Sequence, residues 1–275
     1  MASDLTTTEP SDITKPDVSP VERPTVSEPP TENKYRLRFG ILYLLLAVVL
    51  GAAIAGVALY ATDTISPAAA WSSWEPGGGG LGRANQIAGH VAKQYHLPSG
   101  EQLVEVFAKP PSVSPSDQQI PLHYVVVSRA NGNEDPVAIN SGDTIQYSLC
   151  GLGDNCAIAK GTPSVQRGTL VRREILELAL YTFKYMSDVK NVIAFMPPTP
   201  GSQPKYAVFL RRDDLDRYLH QPLQQTLNSK TPLPNGITRT EQQTIDATTE
   251  SKVFTFGLSQ AQNGDAVLVL QPVAA

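Results

Sequence analysis

Histidine and cysteine are scarce: four His and two Cys in 275 residues. The histidines, His90, His96, His123 and His220, are scattered, and none forms an i, i+4 pair around a glutamate. With so few Cys, neither a zinc set nor a disulfide-dense scaffold can be assembled, and no metal is expected. A dominant charge is missing as well. Lys and Arg number 22 against 26 Asp and Glu, a net charge of -4, so there is no basic field to gather nucleic acid. G-x-S-x-G, H-E-x-x-H and the P-loop are absent. Gly77, Gly79 and Gly82 carry G-x-G-x-x-G spacing, but no strand precedes them and no cofactor is expected. None of the ten asparagines begins an Asn-x-Ser/Thr sequon, which favours a bacterial envelope over a glycosylating secretory route.

One long apolar run is present. Residues 39–61 contain no charge, and as a helix they cover about 34 Å at about 1.5 Å per residue, enough to cross a bilayer core. Lys34, Arg36 and Arg38 precede the run directly, whereas the next cation after it is Arg83. The positive-inside rule then places the N-terminus in the cytoplasm and the C-terminal bulk outside, with the run as a single-pass signal-anchor. A cleaved signal peptide is the competing reading, given Ala68-Ala69-Ala70, but the run exceeds the usual apolar length of such peptides. Ala47, Gly51 and Ala55 recur every four residues, as in helices that pair closely in membranes, so helix-mediated self-association is a further expectation.

Residues 1–38 read as a disordered cytoplasmic tail. The first 33 hold six Pro, ten Ser or Thr and seven acids, with too few large apolar groups to offset chain entropy. Thr8-Glu9-Pro10, Ser19-Pro20 and Ser27-Glu28-Pro29 would suit kinases or docking modules; a solubilising spacer is the simpler reading. Residues 62–80, rich in Ala, Ser, Pro and Gly, read as a flexible juxtamembrane linker. Both tryptophans lie in it. Trp71 and Trp74 either flank the membrane at headgroup level or pack on the folded domain.

Residues 81–275 suffice for one substantial domain, and a division into lobes 81–164 and 165–275 is compatible with the pattern. Helical periodicity covers 82–95, 166–186 and a segment starting at Asp213 that Pro222 should end. Strand-like runs cover 102–109, 122–129, 136–139, 144–150, 191–196, 205–210, 253–260 and 266–271, the last two as a hairpin about Asn263-Gly264. The fold class is therefore α+β, mainly antiparallel strands with about three helices, without a βαβα rhythm.

Cys150 and Cys156 are expected to form a disulfide, worth about 2 kcal/mol by chain entropy for so short a loop. Glu174 with Glu177, and Asp213 with Asp214 and Asp216, are carboxylate sets of the kind glycosidases use; ion pairing with Arg172 and Arg173, and a helix N-terminus, explain them as well. Ser187 and Lys190 match S-x-x-K at a helix end and lack the accompanying elements. Arg172, Arg173, Arg211 and Arg212, with Arg167, would make an anion site if they converged. The expected function is that of an envelope binding or scaffold module with protein or polymer partners. A hydrolase with a dispersed site and a sensor coupled to the tail are the alternatives.

Overall fold

Apolar period and secondary structure agree closely in the computed structural model, which describes residues 34–64, 70–113, 120–129 and 135–273. The tail motifs and Ala68-Ala69 lie outside the described residues. The chain divides into two units, 1–66 and 67–275. Helix α1, Lys34–Thr64, belongs to the first and is longer than the apolar run that signals it. Its segment Arg38–Val57 has a mean hydropathy of 2.5 with none of it buried. It is thus one helix long and apolar enough to cross a membrane.

The second unit holds helices α2 (Gly80–Ala92), α3 (Val165–Tyr185), α4 (Arg212–Leu219) and α5 (Arg239–Thr249). Its first strands are β1 (Glu105–Lys109), β2 (Ser112–Val113), β3 (Ile120–Pro121), β4 (Tyr124–Val127) and β5 (Val137–Asn140). Then come β6 (Thr144–Cys150), β7 (Asn191–Phe195), β8 (Tyr206–Arg211), β9 (Val253–Gln260) and β10 (Ala266–Pro272). Eight strands form one sheet in the order β1-β6-β7-β8-β9-β10-β4-β5, while β2 and β3 make a separate two-stranded ladder. Within that sheet the four strands β7 to β10 from 165–275 lie between β1-β6 and β4-β5 from 81–164, so both halves contribute to one sheet.

Most neighbours are antiparallel, including the β9–β10 hairpin, but β6–β7 and β4–β10 are parallel. Parallel neighbours need a long crossover. Helix α3 supplies it between β6 and β7, giving one βαβ unit where no such rhythm was expected. Ser164 starts α3 by accepting a hydrogen bond from the Arg167 backbone at 3.2 Å.

Strand alternation assigns two apolar faces. Ile145, Tyr147 and Leu149 of β6, Val192 and Ala194 of β7, and Val208 and Leu210 of β8 join the helices in the larger cluster. The interleaved Ile193, Ala207, Phe209, Phe254, Leu268 and Leu270 make a second cluster with Val125. Because α3 packs against α2, α4 and α5 as well as the sheet, it is buried over nearly its whole circumference, as its broad apolar surface requires. Helix α5 is additional to the three expected helices. Residues 70–80, expected as flexible linker, partly join the core: Trp71 is buried, and its carbonyl accepts from the Leu223 N–H at 2.7 Å.

Candidate functional site

Along α3, Arg173, Glu177 and Tyr181 are spaced four apart, which sets them in one stripe on the helix surface. Arg173 at its N-terminal end is 1% exposed, so its charge survives only if surrounded by acceptors. It is. Its Nε donates to Glu241 Oε1 at 2.8 Å, Nη1 to Tyr95 Oη at 2.5 Å and Glu177 Oε2 at 3.1 Å, and Nη2 to the Asn228 carbonyl at 2.8 Å. Tyr95 in turn donates its hydroxyl proton to Glu177 Oε2 at 2.6 Å. Asn228 caps the other carboxylate, its backbone N–H and side-chain amide reaching Glu241 at 2.9 and 2.5 Å. Four separate segments are tied together by this one guanidinium. Burial opposes its charge, but Tyr95, Glu177 and Glu241 more than offset that.

Glu177 has a carboxyl raised above its ordinary range, by burial first, with Arg173 and the Tyr95 hydrogen bond pulling the other way. Glu174 is raised further, by burial and then by Glu177. Neither Glu174 oxygen has a hydrogen-bond partner among the described residues, so nothing offsets the burial that favours its protonated form.

Beyond Glu177 the stripe opens into a cavity of about 360 Å³ lined by Trp71, Ser73, His90, Glu177, Tyr181 and Asn228 among others. Its aromatic wall is built in layers. Trp74 stacks on His90 at 3.8 Å between ring centres and 2° between planes, while Trp71 meets Tyr181 edge-on at 5.2 Å. The polar ends of the rings are engaged within the protein: Trp71 Nε1 donates to the Tyr218 carbonyl at 3.2 Å, and the Tyr181 and Ser72 hydroxyls lie 3.0 Å apart. Burial pushes Tyr181 up to about 12 and lowers His90, which is therefore neutral at pH 7. Glu177 Oε2 is doubly engaged; Oε1 accepts from none of the described residues.

The four arginines expected at an anion site do not converge. Arg172 pairs with Asp246 at 2.6 Å, Arg173 with two glutamates, and Arg211 with Asp214 at 3.1 Å. Arg212 donates to the carbonyls of Val189, Phe183 and Met186, binding the end of α3 to the start of α4. Arg167 reaches the Lys160 carbonyl at 3.1 Å. These groups hold the fold. Asp214 is shared by Arg211 and Lys252, and the Asp213 set stays at the start of α4, away from the cavity lining. Cys150 and Cys156 are joined, closing a loop in which Asn155 and Cys156 both have positive φ. Among the described residues no group of three His, Cys, Asp or Glu is placed to hold a metal. Trp71 lines the cavity, and Trp74 stacks on the lining residue His90. The side chains of Lys34 and Arg36 lie outside the described residues, and Arg38 starts the apolar segment.

Sequence reasoning singles out Arg173 and Glu177 but misses Tyr95, Asn228 and Glu241 as their partners. For Glu241 a signal exists: Thr238-x-x-Glu241 is a capping-box spacing, and Thr238 Oγ1 does accept from the Glu241 N–H at 3.3 Å. For Tyr95 and Asn228 there is none. No protein family, curated protein or solved structure matches the chain.

Proposed function

We propose that this is a single-pass, type II membrane protein of a bacterial envelope whose second unit works by binding. The observation that carries the reading is the cavity: its aromatic wall and lone open carboxylate oxygen form a recognition surface, and His90 and Ser72 are not paired as base and nucleophile. Support for the anchor is a helix that is apolar all round with none of its apolar segment buried. Three cations before it and none directly after support a cytoplasmic N-terminus. Protein or polymer partners of the envelope follow from that location.

The test is crosslinking in native membranes, with co-purification of the full chain beside a chain ending at Ser66. A partner captured only by the full chain is the expected result; recovery of both chains alone counts against the reading. One observation favours a second reading, a hydrolase: Glu177 is a raised carboxyl in a cavity, as a general acid would be. Activity profiling with and without Glu177→Gln decides that case, since a hydrolase acting through this group loses its labelling.

A further inference from the structure

We infer that the cavity between Trp71 and Glu177 is a binding site for a small organic cation, an alkylammonium or substituted amine, whose N–H groups meet Glu177 Oε1 while its carbons lie against Trp71 and Tyr181. This rests on the binding-module reading above and names the ligand class of that site.

The first observation is an open acceptor. Glu177 is 5% exposed and lines the cavity, and only its Oε2 is taken, by Tyr95 and Arg173. Oε1 takes no donor from the described residues and is not among the sealed, unpaired polar atoms of the core, so it stays accessible in a residue that lines the cavity. Charge is the second. Within the buried cluster one guanidinium lies between two acidic side chains, Glu177 and Glu241, with a third, Glu174, on the same helix as Glu177. Acidic groups outnumber the cation there, and a second cation seated at Glu177 favours its ionised form. The third is the wall. With the Trp71 indole N–H donated to Tyr218 and the Tyr181 hydroxyl against Ser72, these residues offer the cavity ring surface, whose faces attract cations. Trp71 already shows this preference, with Lys184 Nζ 5.8 Å from its ring centre. An anion entering here meets the Glu177 oxygen; a neutral alcohol supplies a donor but no positive charge to the acidic group or the ring faces.

Trp71 and Trp74 are the only tryptophans in the chain; Trp71 lines the cavity and Trp74 stacks on the lining residue His90, so selectively excited tryptophan fluorescence reports on this site. The full-length protein in a non-ionic detergent is titrated with n-butylammonium chloride, n-butanol and sodium butyrate at constant ionic strength. Butylammonium is expected to give a saturable change at least tenfold tighter than butanol, and butyrate none. Ser73 is exposed where it lines the cavity, so its substitution leaves the Arg173 cluster intact. Ser73→Lys is expected to weaken butylammonium at least tenfold and Ser73→Glu to tighten it, both with unchanged unfolding midpoints. Glu177→Gln weakens it as well; should that variant not fold, the two Ser73 variants carry the test. Butanol binding as tightly as butylammonium, or no difference between Ser73→Lys and Ser73→Glu, overturns the cation class and leaves the cavity as a binding site. No saturable change with any of the three probes overturns the site itself, whereas failure of the binding-module reading shows separately as an empty crosslinking result.

Discussion

Replacing Glu174 by methionine should stabilise the protein, and by more at neutral pH than in acid. Glu174 is wholly buried, its two oxygens accept nothing from the described residues, and burial with the nearby Glu177 holds its pKa well above the carboxylate range. A polar group stranded this way costs about 1–3 kcal/mol, which an unbranched apolar side chain of similar length and helix propensity recovers. The pH dependence adds to that. Because the folded-state pKa is raised, the unfolded chain sheds this proton first as pH rises. The parent therefore loses about 1.4 kcal/mol per pH unit above about pH 4.5, until Glu174 ionises in the folded state as well. Methionine has no such loss, so the gap between variant and parent widens with pH. For a unit of about 200 residues, 1 kcal/mol moves the midpoint by about 2–4 °C, which puts the gain at about 2–12 °C near pH 4.5 and higher at pH 7. Thermal and urea unfolding followed by tryptophan fluorescence at the two pH values measures this. A variant that unfolds earlier than the parent at both, or a gap that does not grow with pH, refutes the reasoning and shows an ionised, partnered Glu174.

Arg173→Met leaves Glu177 and Glu241 buried without their cation and should cost about 3–5 kcal/mol, read as a lower urea midpoint. Trp71→Ala opens a large hole beside Tyr181 and Tyr185 and should cost about 3–5 kcal/mol, which a tryptophan at the headgroup level would not. Reduction, or Cys150→Ser with Cys156→Ser, should lower stability by about 2 kcal/mol, seen as an earlier thermal midpoint under reducing conditions. Quenching of Trp74 by protonated His90, its stacking partner, should set in at a pH below the ordinary histidine midpoint, because burial disfavours the imidazolium. A midpoint at the ordinary value would place His90 in water.

Strands were legible because their alternation and turns are local. Thr144–Cys150 and Val253–Gln260 occupy the residues the pattern predicts. Helix α5 was not, since Arg239–Thr249 offers one large aliphatic residue, Ile245, and apolar period is silent where a helix is held by its polar side chains. Glu241 works through Arg173, a residue 68 positions away, and distance of that kind leaves no trace in a window of residues. The same holds for the sheet order: nothing in the sequence near Tyr124 marks β10 as its parallel neighbour. Trp71 and Trp74 were ambiguous for a physical reason, since an indole is as well suited to a headgroup layer as to an aromatic wall. The disulfide was readable from spacing and compartment alone, and the ion-pair role of Arg173 and Glu177 from their i, i+4 placement.

The position of β10 makes it the keystone of the sheet. It lies between β9 and β4, and the β4–β5 pair joins the rest of the sheet only through it. Until β10 docks, β4 and β9 each keep an open edge, and the apolar cluster that Leu268 and Leu270 complete stays unfilled. Displacing this one strand would therefore separate two others from the sheet, so its loss is as damaging as the loss of a whole hairpin.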